Sequence, residues 1–129
     1  MGDKTVRLTF NKSERLTDLR QIEALFEKND SIKAFPLIFI FKLSENETPF
    51  KVMFSVPKKK FRHATDRNRV KRLMREAFRL NKPAFVEALG ENKISCAILY
   101  TSAELPDFNT LNLAQQRINT LLQKHLTTA

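Results

Sequence analysis

Six cationic side chains fall within the thirteen residues RNRVKRLMREAFR: Arg67, Arg69, Lys71, Arg72, Arg75 and Arg79, against a single acid, Glu76. A guanidinium presents a planar fork of N–H donors that matches phosphate oxygens two at a time, so a rigid array of them suits the binding of a phosphate polymer. The stretch before it, PKKKFRH, adds Lys58, Lys59, Lys60, Arg62 and His63. Covalent catalysis has no comparable set. A nucleophile needs a positioned base beside it, yet Cys96 lies in an apolar run and the histidines are His63 and His125 alone. No close cluster of His, Cys, Asp and Glu marks a metal site.

Helical geometry sorts the basic stretch into two faces. With Val70 set at zero and about 100° per residue, Leu73, Met74, Ala77 and Phe78 fall within about 80° of it, an apolar stripe. Asn68, Arg72, Arg75 and Arg79 fall between about 140° and 200°, directly opposite. Lys71 and Arg69 lie at the flanks, and Arg67 nearest the apolar edge. A merely solvated face normally mixes both signs so that i, i+4 pairs form, and here only Glu76, four residues after Arg72, is available. Arg67 and Arg69 also occupy the first turn, where the helix dipole disfavours cations. A surface that destabilises its own helix in this way points to an anionic partner outside the chain.

Charge distribution says the same. Of the formal net charge of +9, all resides between Lys58 and Lys82, where eleven Lys and Arg face Asp66 and Glu76; the other 104 residues are balanced. That concentration is the footprint of a polyanion-binding surface. A membrane surface fits less well, because the apolar face of the helix is needed for the core. Phe61, within the basic loop, can stack on a base or pack inward, and His63 can donate to a phosphate or 2′-hydroxyl or simply be solvated.

The elements that must position this helix alternate in type. In TDLRQIEALFEK, Thr17 or Asp18 caps a helix with Leu19, Ile22, Leu25 and Phe26 at helical spacing. FPLIFIFKL is a strand with Phe35, Leu37, Phe39, Phe41 and Leu43 on one face, and FKVMFSV a second with Phe50, Val52, Phe54 and Val56 aligned. Joined by the polar SENETP, the two read as a hairpin. The basic helix follows, ends near Asn81 and Pro83, and gives way to a short helical turn stopping at Gly90. ISCAILY reads as a central strand. TLNLAQQRINTLLQKHL forms a last helix whose stripe holds Leu111, Leu113, Ala114, Ile118, Leu121, Leu122 and Leu126. The expectation is one α+β domain over residues 1–129, a small mixed sheet with packed helices in the order α-β-β-α-β-α. Residues 1–13 are expected to be a flexible or extended segment and residues 127–129 a frayed tail.

The lone Cys96 excludes a disulfide framework within the chain and favours a reducing compartment. Neither a signal-peptide core nor an apolar run of roughly 18 residues is present, so a cytoplasmic location is expected.

The string from SVPKKK through RNRVKRLMREAFR resembles the protein subunit of bacterial ribonuclease P, whose signature is an Arg-Asn-Arg helix after an SV-x-KK strand end. The resemblance runs from about Arg15 and Leu16 to the last helix. It implies a fold like domain 2 of ribosomal protein S5, with a left-handed βαβ crossover. It also implies an accessory subunit of an endoribonuclease whose active site lies in a partner RNA, with no catalytic side chain in the protein. Ribonuclease P RNA and precursor tRNA are the implied partners, with no membrane and no obligate protein partner. Mg2+ is implied for the holoenzyme, held mainly by RNA.

By position, the resemblance assigns RNA binding to Arg67, Asn68, Arg69, Lys71, Arg72 and Arg75, with Arg79 and the loop Lys58, Lys59, Lys60, Arg62 and His63 beside them. It assigns a cleft for the single-stranded 5′ leader of precursor tRNA to Ile22 and Phe26 on the first helix and to Phe39 or Phe41 on the strand, residues that alternation alone reads as core. Most relatives carry Gly where this chain has Met53 and again within the loop, which is one residue longer here. The alternative function is a structural or ribosome-associated RNA-binding protein with no part in cleavage.

Overall fold

The structure, a computed structural model, describes residues 12–128. A four-stranded sheet carries helices on both faces. Its strands are β1 (Asp30–Ala34), β2 (Leu37–Leu43), β3 (Phe50–Ser55) and β4 (Ile94–Tyr100), and its helices α1 (Leu19–Glu27), α2 (Ala64–Leu80), α3 (Lys82–Leu89) and α4 (Phe108–Thr128). A single 3-10 turn, Lys12–Glu14, precedes α1. The α+β class holds, with one strand more than the sequence pattern suggests. Residues 1–11 of the expected N-terminal segment lie outside the described residues, and α4 runs to Thr128, with the Thr127 Oγ1 donating to the Gln123 carbonyl at 2.9 Å.

The spatial order is β1-β2-β4-β3, with β4 antiparallel to β2 and parallel to β3. The expected hairpin of the second and third strands is therefore absent. ISCAILY is buried at every position but Leu99, which is half-covered, and so apolar a strand gains most with a neighbour on each side; it inserts between β2 and β3. The real hairpin joins β1 to β2 around Phe35 and Pro36, in register Ala34↔Leu37. Proline at position 36 cannot donate to a ladder, so the strand begins at Leu37 and the preceding pair forms the turn. The crossover from β3 through α2 and α3 into the parallel β4 is the βαβ unit that the resemblance implies.

One face of the sheet holds most of the core. Phe39, Phe41, Val52, Cys96 and Ile98 meet Val70, Met74 and Phe78 of α2, Phe85 of α3 and Leu111, Ile118 and Leu122 of α4. The rings of Phe50, Phe78 and Phe85 stand mutually edge-on with centroids 5.0 to 5.4 Å apart, the arrangement favoured by aromatic quadrupoles. Leu113, expected in the α4 stripe, instead lies exposed, because its position two residues past Leu111 rotates it about 200° away. The other face carries α1 alone, with Leu16, Leu25, Ile40 and Ala97 as a smaller core.

Local signals explain the boundaries. Asp18 caps α1, its carboxylate accepting from Arg20 N at 2.9 Å and Gln21 N at 3.4 Å. Asp107 does the same for α4 through Thr110 N at 2.8 Å, and these bonds hold its carboxyl below the ordinary range. At the end of α2 the Asn81 side chain turns back to donate to the Ala77 carbonyl at 2.7 Å, before Pro83 removes a donor. Gly90, at φ 60°, is the only positive-φ residue among those described and closes α3. Met53 thus sits in ordinary extended backbone, and the strand needs no glycine there.

Candidate nucleic-acid interface

Helix α2 is clamped to the core by Val70, Met74, Ala77 and Phe78, all buried, with Leu73 half-buried beside them. Arg69, Arg72, Arg75 and Asn68 are exposed on the opposite side, and Lys71 is half-exposed. The separation of faces read from the sequence holds residue by residue. Two basic groups of α2 are engaged within the protein. Arg67 Nη1 donates to the carbonyls of Phe61 at 2.8 Å and Arg62 at 3.1 Å, folding the basic loop onto the first turn of α2. Arg79 makes a two-pronged contact with Glu76, at 2.6 Å and 3.2 Å. Glu76 therefore serves Arg79, three residues on, and not Arg72. The hydrogen bond from Arg79 holds the Glu76 carboxyl below its usual value, and the same pairing raises Arg79.

The loop between β3 and α2 divides cleanly. Phe61 packs inward with its ring centroid 5.9 Å from that of Tyr100, so the inward alternative is the one realised. Lys58, Lys59, Lys60, Arg62 and His63 are left exposed around it, and the Lys60 amide closes a turn on the Pro57 carbonyl at 3.2 Å. His63 occupies the N-cap of α2 without a side-chain cap bond. A buried aromatic anchor thus holds a cluster of cations next to the cationic helix.

The four proposed cleft residues are not brought together. Phe39 and Phe41 are 0% and 2% exposed and face α3 and α4: Phe39 meets Phe85 edge-on at 5.9 Å and Phe41 meets the His125 ring at 5.3 Å. Strand alternation sends them to the face away from α1, so their assignment to the cleft is corrected and the core reading stands. Ile22 and Phe26 do belong to α1, the first half-buried and the second 46% exposed. The sheet residues that share their side are Ile38, Ile40, Met53, Ala97 and Leu99. In register, Ile40, Ala97 and Met53 form one row under α1, while Lys33, Ile38, Leu99 and Ser55 form the next, where no side chain is fully buried. Alternation alone reads Phe39 and Phe41 as core; the cleft assignment carried over from the family resemblance falls on the wrong face of β2, which is apolar on both sides.

A further hollow of about 320 Å3 lies at the outer edge of β3, floored by Leu16, Val52, Met53 and Phe54 and flanked by Arg15 and Arg75. The segment before α1 reaches it by pairing with β3, Leu16 N donating to Val52 O at 2.9 Å. Among the described residues no three His, Cys, Asp or Glu side chains are grouped to hold a metal ion, and no helix is long and apolar enough to cross a membrane. Cys96 is fully enclosed in β4, which pushes its thiol well above the usual value and removes it as a nucleophile at neutral pH.

A small α+β domain that spends one helix face on its core and devotes the other to exposed cations, beside a half-covered sheet face, belongs to the class of RNA-binding modules. The chain matches the family model for Ribonuclease P over residues 10–125. It is 42% identical over 111 residues to the ribonuclease P protein component of Porphyromonas gingivalis, covering 83% of this chain and 81% of that one. The RNase P protein of Staphylococcus aureus superposes with a TM-score of 0.69 at 17% identity, over 85% of this chain and 95% of the other. That of Thermotoga maritima superposes at 0.64 and 25% identity, over 86% and 96%. The chain belongs to the ribonuclease P protein family.

Proposed function

We propose that the protein is the RNA-binding accessory subunit of ribonuclease P, assisting an RNA catalyst in removing the 5′ leader of precursor tRNA. The observation that carries this reading is the exposed, predominantly cationic face of α2 with its adjoining loop, in a chain of this family. Arg69, Lys71, Arg72 and Arg75, with Asn68, contact the phosphates of ribonuclease P RNA; Lys58, Lys59, Lys60, Arg62 and His63 extend the same surface. Arg67 contributes chiefly by fixing the loop, and Arg79 joins only when it leaves Glu76. The leader lies on the α1 side of the sheet, along Ile22, Phe26, Ile38 and Leu99. That groove is aliphatic, so it holds the strand by apolar contact with sugars and base faces more than by ring stacking.

Magnesium belongs to the RNA in this reading, and the protein supplies affinity and position at a cytoplasmic ribonucleoprotein. The test is cleavage of a 5′-labelled precursor tRNA at low magnesium by the cognate ribonuclease P RNA, with and without this protein. Stimulation with a correct mature 5′ end is expected. Binding without stimulation would mean a structural RNA-binding protein instead.

A further inference from the structure

Phe35 is the most exposed large apolar side chain of the described residues, at 80%. It projects from the β1–β2 turn. The turn itself is firmly held: Thr101 donates to the Pro36 carbonyl through its amide at 2.9 Å and its hydroxyl at 3.0 Å. A rigidly mounted, solvated ring loses apolar burial and gains nothing within the domain.

Its surroundings say what covers it. Leu37 pairs with Tyr100, and Tyr100 carries the ring of Phe61, so the turn shares one end of the sheet with the loop Lys58–His63. The β1–β2 turn and the end of β3 flank β4 on opposite sides, roughly 10 Å apart at ordinary strand spacing. The half-covered row Ser55, Leu99, Ile38, Lys33 crosses the sheet near this end and finishes on β1 at Lys33, two residues before Phe35. An apolar platform between cations at the mouth of an aliphatic groove fits an unpaired base with a phosphate on either side. A single strand offers such bases without the cost of opening a duplex.

We infer that Phe35 is a stacking platform for one base of the 5′ leader where the strand leaves the groove. The inference rests on the subunit reading above. Among the described residues the groove supplies no ring beyond Phe26, so Phe35 provides an aromatic contact that this part of the sheet face lacks.

The chain contains no tryptophan, so Phe35→Trp installs a single reporter whose emission is quenched when a base stacks on it. The holoenzyme, assembled with ribonuclease P RNA, would be titrated with precursor tRNA and with mature tRNA. The platform predicts quenching by the precursor alone and, for Phe35→Ala, about tenfold weaker precursor binding with mature tRNA unchanged. At 80% exposure the substitution should leave the thermal melt unaltered, which checks the fold. Three results would overturn the proposal: no quenching by a precursor that is still bound and cleaved, quenching on assembly with ribonuclease P RNA before any tRNA is added, or equal loss for both tRNAs. In each of these the wild-type protein still stimulates cleavage. Its failure to do so would instead sink the subunit reading.

Discussion

The ammonium of Lys82 lies 2.8 and 2.9 Å from the two carboxylate oxygens of Glu14, with both side chains almost completely enclosed. The pair joins the 3-10 turn before α1 to the first residue of α3, beside the ring of Phe50 at 5.9 Å. Breaking a buried pair from one side strands a charge at a cost of several kcal/mol, whereas replacing both partners by apolar groups is often neutral. Lys82→Met should therefore lower the unfolding free energy by about 3 to 5 kcal/mol in urea denaturation, and Glu14→Leu added to it should restore most of the loss. A double variant as unstable as the single one would show that the ionic contact, and not the stranded charge, carries the stability.

On α2, Arg72→Ala combined with Arg75→Ala removes two exposed cations and touches no core residue. Affinity for ribonuclease P RNA should fall, and the dependence of log K on log salt should flatten by about one to two units, because fewer counterions are released. Circular dichroism should be unchanged. An unaltered slope would place the phosphate contacts elsewhere.

Glu76 restrains Arg79, and its carboxyl is depressed chiefly by that hydrogen bond. A depressed carboxyl stabilises the pairing above its ordinary range, and the pairing is lost as pH falls through the lowered value. At neutral pH the pair is formed, so Glu76→Gln should release one more guanidinium to the RNA face. Tighter RNA binding at low salt and a slope steeper by up to about one unit are expected from titrations across a salt series. No change in slope would mean that Arg79 already reaches phosphate while paired.

Features with short-range causes were legible in the sequence. The faces of α2 follow from helical period alone, and the caps at Asp18 and Gly90 from residue type. Long-range pairing was not. Nothing local distinguishes a hairpin of β2 and β3 from the insertion of β4 between them, since SENETP suits either. DSIKA escaped notice because only Ile32 and Ala34 of it are buried, as befits an edge strand. The cleft failed for a related reason: β2 is apolar on both sides, and its side chains reveal which face meets α1 only once the helix is in place.

Adjacent residues of β2 now separate stability from substrate recognition. Phe39 lies wholly in the core, where Phe→Ala typically costs about 3 to 5 kcal/mol, so Phe39→Ala should impair folding and weaken every RNA alike. Ile38, one residue away, is half-buried on the α1 face opposite Leu99. Removing its outer carbons should cost about 1 kcal/mol of stability by area and leave the sheet in register. If the leader follows the row from Lys33 to Ser55, Ile38→Ala should weaken binding of precursor tRNA several-fold while mature tRNA keeps its affinity. Equal losses for the two tRNAs in a folded Ile38→Ala protein would remove the leader from this face of the sheet. The charged face of α2 would then be the protein's remaining RNA contact in this reading.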